Sequence, residues 1–302
     1  MATYYSPKNL LPVVTQASRL CVSAAAKTSA QKQRTGETFG PVYARRAAIK
    51  LVRTGMLCLL LWPQVCAAQT VTNVAVTNVA VWKQNEFGRT QKIYLAATNN
   101  VTNGWLFALA AFELAEFVTN ETGRASLARQ GIAASQSAVA SDPKSGAGHY
   151  YLAMNYGQLA RAEAPSLTAY RLVHEVEREF KAAADLDETF DHAGPARNLG
   201  ALYFQAPGWP WSVGSKKKAR ECFQRAAALA PDYPENHINL AEAHIKWHER
   251  AEAEKAIKAV ESLWPAVPTN FPGVAWQSLR DEWRHRHEEN RANFKKIFKS
   301  EP

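Results

Sequence analysis

Cysteine is scarce in this chain: four in 302 residues, three of them (Cys21, Cys58 and Cys66) within the first 66. Downstream only Cys222 remains, so a chain shortened past Cys66 cannot close an internal disulfide. No Cys/His set with zinc spacing exists there either. The apolar stretch Met56–Trp62 falls far short of the ~20 residues that cross a bilayer. A Gly-rich phosphate loop, a Gly-x-Ser-x-Gly elbow and a carboxylate pair singled out by its surroundings are all missing. Nothing in the sequence argues for an enzyme, and no catalytic, metal or cofactor site is expected.

What is present begins with a leader. Arg45, Arg46, Lys50 and Arg53 precede Met56–Trp62, followed by Pro63 and Cys66-Ala67-Ala68-Gln69. Positive residues, a short apolar stretch and small residues before a cut point describe a secretory signal. The expected cut follows Ala68, leaving Gln69 first, with Ala67 as the near alternative. Pro63-Gln64-Val65 lacks the small residues of a lipid-attachment box. Arg45-Arg46 faintly resembles a twin-arginine signal, but Ala48 stands where a bulky apolar residue is usual, so the general secretory route is preferred. The signal occupies about 41–68, and residues 1–40 reflect either a mis-assigned start or a long leader. Expected localisation is periplasmic or secreted.

Cleavage changes the charge argument. Nine of the 36 basic residues and one of the 27 acidic ones lie in 1–68, so removal leaves 27 against 26. The formal charge of +9 belongs to the precursor and does not point to nucleic acid. Residues 69–103 carry little helical signal. Val71–Val76 and Val76–Val81 both spell Val-Thr-Asn-Val-Ala-Val, an edge-strand pattern or, by preference, a tandem slip in a linker.

From residue 104 a pattern recurs. Leu199-Gly200 and Tyr203 fall on one helix, Ala219 and Phe223 on a second, and Pro231 stops it for want of an N–H. Small residues let the two helices approach, while large ones fill the seam. Leu240-Ala241, His244, Ala253, Ile257 and Pro265 repeat the spacing. Leu152-Ala153, Tyr156, Val176 and Phe180 repeat it with Glu188 in place of proline. Ala108-Leu109, Phe112, Gly131, Ser135 and Pro143 form a degenerate first copy. Stop-to-stop intervals are 45, 43 and 34, with extra residues around Ala160–Thr168 and Gln205–Ser215. The competing reading is a plain helical bundle whose Ala/Leu periodicity imitates repeats.

The pattern resembles the tetratricopeptide repeat family, whose period is about 34 residues. That resemblance implies an all-α fold, a right-handed solenoid with copies over 104–145, 146–190, 193–233 and 234–267. Residues 274–299 would form a capping C-terminal helix. Trp276, Leu279, Trp283, Asn290, Phe294 and Ile297 share one face of it, favouring a cap over membrane contact. Val267–Gly273 reads as a Pro/Gly loop.

The same resemblance implies a concave groove that takes a protein or peptide. Carried onto this chain, its candidates are Tyr150, Met154 and Gln158, then Arg197, Phe204 and Gln205, then Glu242, Ile245 and Lys246. Trp209 and Trp211 either fold over the repeat interior or stand out as partner anchors. Lys216-Lys217-Lys218 is by default a solvated face and, more sharply, a contact for an anionic partner. His244 and His248 lie four apart, yet His244 occupies the interior aromatic position and reads as a packed histidine. His285 and His287 point away from each other. Leu202–Ala219 is also similar to the exported T-component proteins of TRAP-type solute uptake. That likeness implies a periplasmic solute-binding protein as partner and makes a transport accessory the alternative function.

Overall fold

The structure, a computed structural model, describes residues 63–164 and 166–302. The leader up to residue 62 lies outside the described residues. Among those described there are eleven helices and no strand; an isolated bridge joins Gly208 and Gly214. The helices are α1 (Pro63–Ala96), α2 (Val101–Ala115), α3 (Glu121–Ser141), α4 (Gly146–Ala162), α5 (Leu167–Leu186) and α6 (Phe190–Gln205). After these come α7 (Lys216–Leu229), α8 (Pro234–Lys246), α9 (Arg250–Leu263), α10 (Val267–Asn270) and α11 (Val274–Phe298).

Helices pair as α2/α3, α4/α5, α6/α7 and α8/α9, and each pair packs on the next through α3–α4, α5–α6 and α7–α8. This packing is consistent with a helical repeat. The starts are fixed by side chains. Asn100, Asn120, Ser145, Ser166 and Ser215 each accept the N–H three residues on, contacts each worth ~1 kcal/mol. The ends follow the stop positions: α3, α5, α7 and α9 close two residues before Pro143, Glu188, Pro231 and Pro265. Where proline is absent, Asp187 turns the chain by accepting the backbone N–H of Thr189 at 3.1 Å.

Seam residues are buried in every copy, Phe112 and Ser135, Ala153 and Phe180, Tyr203 and Phe223, and Ala241 and Ile257, while Tyr156 and Leu240 are partly buried. Gly200 lies so close to its partner that a Cβ there would meet Phe223 Cδ1 at 2.5 Å. A small residue is therefore a packing requirement at this point.

Three expectations are corrected. Residues 69–96, read as a linker or edge strand, continue α1. From the end of the Val/Thr/Asn run onward the helix is held by tertiary packing: Val79, Lys83, Phe87 and Thr90 are buried, Tyr94 stacks on Phe107 at 5.4 Å and Phe87 lies tilted against it at 5.2 Å. Lys83 pairs with Glu113, both nearly fully buried, and α1 also touches α11. The insert around Ala160–Thr168 is mostly helix and not a long loop, because α4 runs to Ala162 and α5 begins at Leu167, while Leu167 and Thr168 remain exposed. Val267–Gly273 contains α10, and Phe271 anchors it in the core.

In α11, Leu279, Trp283, Asn290 and Phe294 are buried while Ile297 is exposed. Asn290 Nδ2 donates to the Ile238 carbonyl at 3.1 Å, tying α11 to α8.

Candidate functional site

Five of the groove candidates have no surface to offer. Tyr150, Met154, Gln158, Arg197 and Ile245 are buried, which corrects their placement outside the packed seam. The reason is direct contact between the first helices of neighbouring pairs. Asn155 Nδ2 donates to the Ala108 carbonyl at 3.0 Å, joining α4 to α2. Gln158 hydrogen-bonds Glu116. Asn198 Nδ2 donates to Tyr150 Oη at 2.9 Å, joining α6 to α4. Side chains expected to line a groove instead hold adjacent helices together.

At the centre of that contact lies an ionic cluster that pattern reading missed. The first turn of α6 is left-handed at Asp191, His192 and Ala193, with φ of 51°, 54° and 63°. Three such non-glycine residues in a row are strained. They are held by Arg197, whose Nη1 donates to the carbonyls of Asp191 at 3.1 Å and His192 at 2.9 Å. Its Nη2 bonds Asp191 Oδ2 at 2.8 Å, its Nε lies 3.5 Å from Glu235 Oε1, and its guanidinium sits 4.8 Å over the Tyr233 ring. Tyr150 Oη donates to Asp191 Oδ2 at 2.7 Å. His192 stacks on Tyr233 at 4.4 Å.

Two carboxylates thus share one guanidinium away from water. Burial pushes the Asp191 carboxyl up to about 7 against the pull of Arg197, and it raises Glu235 as well. Burial, then the nearby Arg197, lowers His192 to about 4, so it stays neutral. Arg197 loses hydration, but Glu235, Tyr233 and Asp191 outweigh that loss and raise its pKa. Chemically the cluster can store a proton. The spacing of Arg197 puts it on an open face and gives no sign of this burial.

Of the remaining candidates, Phe204 and Gln205 end α6 and Lys246 ends α8, with Glu242 one turn earlier on α8. Phe204 is partly buried, edge-on to Phe223 at 6.0 Å and to Trp247 at 5.7 Å. Its packing partners are therefore these rings and not the loop tryptophans. Lys246 Nζ lies 4.3 Å over Phe204 and is exposed. Gln205 is half-buried, and Glu242 is half-buried and bonded by Arg286 at 3.1 Å. Lys216 and Arg220 cover Trp247 at 5.1 and 4.9 Å, and both pair with Glu249 at 2.9 and 2.6 Å. The Arg220 hydrogen bond is the main reason the Glu249 carboxyl falls to about 2.

No family model and no curated protein matches this chain.

Trp209 and Trp211 do not fold back over the repeat interior: they are 89% and 61% exposed. His244 is buried, bonded to Glu249 at 2.7 Å and edge-on to Trp247 at 5.7 Å, as a packed histidine should be. Cys222 is half-buried, and burial pushes its thiol up to about 11, so it carries little thiolate at neutral pH. Among the described residues no group of three or more His, Cys, Asp or Glu is placed to hold a metal ion, and no helix is long and apolar enough to cross a membrane.

Proposed function

We propose that this protein is an exported tetratricopeptide-type scaffold that binds a protein or peptide partner. In this reading the paired helices form a right-handed solenoid, α11 caps it, and a secretory leader ending near Ala68 sends it to the periplasm. The observation that carries the reading is the rim at the ends of α6 and α8. Phe204, Gln205, Glu242 and Lys246 retain exposure there while the side chains deeper along the same helices are packed. An aromatic face, an amide and charges of both signs suit an extended segment, whose backbone needs hydrogen-bond partners and whose side chains need apolar contact.

The binding surface is accordingly the rim, and the interior positions Tyr150, Met154, Gln158, Arg197 and Ile245 act by holding it. The test is affinity capture from periplasmic extract with identification of what is retained. Lys246→Glu should abolish retention while Lys92→Glu, an exposed change on α1, leaves it intact. Retention that survives Lys246→Glu sinks the rim assignment. The T-component-like reading draws on the Leu202–Ala219 segment; retention of a solute-binding protein by the rim would select it.

A further inference from the structure

Turns between paired helices lie beside one another in two places. Arg161 at the end of α4 pairs with Glu116 beyond α2 at 3.6 Å, and Lys216 at the start of α7 pairs with Glu249 between α8 and α9 at 2.9 Å. Large apolar side chains project at these turns: Leu167 at 80% exposure at the start of α5, and Trp209 and Trp211 between α6 and α7. An indole open to water over most of its surface has given up the burial that normally offsets its hydration cost. Hot-spot tryptophans for proteins sit in packed, water-excluding centres; these stand on a projecting loop.

The loop itself and the start of the helix after it carry charge of one sign. From Gln205 to Arg220 the chain holds four basic residues and no acidic one. Three of the four open α7, the helix end where positive charge is mildly unfavourable. All three lysines are exposed; Lys216 is steadied by Glu249 and Lys218 by Glu177, the latter at 3.7 Å. Several acidic groups at these turns are engaged, Glu116 by Arg161, Glu163 by Arg129 and Glu249 by Arg220, while Glu221 after the cluster is exposed.

We propose that the Trp209/Trp211 loop docks on an anionic lipid surface, the indoles entering the headgroup region and Lys216–Lys218 facing the phosphates. Tryptophan is the side chain suited to that depth, apolar in body with one N–H to donate. Neither signal holds a protein to a membrane well alone, but an apolar insertion joined to a basic cluster does. The proposal rests on the loop and its lysines and not on a protein partner, so it goes beyond the scaffold reading and does not depend on it.

The test is sedimentation of the purified protein with phosphatidylcholine vesicles with and without phosphatidylglycerol, every variant carrying the same N-terminus. The wild type should partition onto the anionic vesicles and be released by high salt. Each charge is worth about fivefold in partition, so Lys217→Glu, a change of two charges, should lower it about 25-fold. Trp209→Ala/Trp211→Ala should lower it about tenfold or more. Both variants should melt like the wild type, because the side chains are exposed. The proposal is overturned if the wild type stays in solution, if it binds neutral and anionic vesicles equally, or if both variants sediment unchanged. It is equally overturned if the tryptophan pair is needed to retain a protein partner while no vesicle binding occurs. None of these outcomes bears on the Lys246→Glu capture experiment.

Discussion

Asp191→Asn should remove a pH dependence of stability, and the structure sets both its sign and its size. The Asp191 carboxyl stands at about 7 in the folded protein against 3.8 in an ordinary setting. The folded state therefore binds this proton more tightly than the unfolded chain. Below about pH 4 both states hold it. As pH rises from 4 to 7 the unfolded chain releases it first, so unfolding becomes easier across that window. Above 7 both are ionised and the loss is complete. A shift of about three units at 1.36 kcal/mol each amounts to about 4 kcal/mol. Asparagine keeps the shape and an oxygen for the Tyr150 hydroxyl, but cannot titrate. The wild type should exceed the variant most at acid pH, and the difference should shrink by about 4 kcal/mol by pH 8. Urea unfolding followed by circular dichroism at fixed ionic strength, from pH 4.5 to 8, measures it. Subtracting one protein from the other cancels carboxylates elsewhere. A difference that stays constant within about 1 kcal/mol would refute the raised Asp191 carboxyl beside Arg197.

Other tests address the packing. Gly200→Ala gains ~1 kcal/mol of helix propensity but drives a methyl into Phe223, which overpacking makes the larger effect at ~1–3 kcal/mol; a raised melting temperature would mean the α6–α7 seam is misplaced. Lys83→Met should destabilise by ~3–5 kcal/mol by leaving the Glu113 carboxylate buried without its partner; an unaffected chemical-denaturation midpoint would show that α1 is not an integral layer. Ser215→Ala should lose ~1 kcal/mol with its N-cap, read from the same denaturation curves. Sequencing the N-terminus of exported protein should return Gln69 or Ala68; residues 1–40 on that material would refute the leader.

How much was legible in the sequence depended on whether a feature is local. Glycine or alanine opposite a large side chain repeats at fixed spacing, and proline or an Asp-led turn ends a helix whatever surrounds it. The ends of α3, α5, α7 and α9, the Gly200–Phe223 contact and the buried face of α11 could therefore be read directly. His244 was legible for the same reason, since the repeat leaves its position no solvent.

Tertiary structure alone decided the rest. Val71–Val81 has a strand-like composition, yet it continues the helix whose later residues Val79, Lys83, Phe87 and Thr90 are packed. Tyr150, Met154 and Gln158 occupy positions that spacing puts on an open face, but that spacing describes one helix and is blind to how closely the next one approaches. The left-handed turn at Asp191–Ala193 is the plainest case. No residue there favours positive φ as glycine does, and the turn exists because Arg197, 4 to 6 residues away in sequence and buried among Tyr150, Tyr233 and Glu235, binds the carbonyls it exposes. Backbone propensity is settled within a few residues; burial and the pairing of charges are settled by whatever the fold brings alongside.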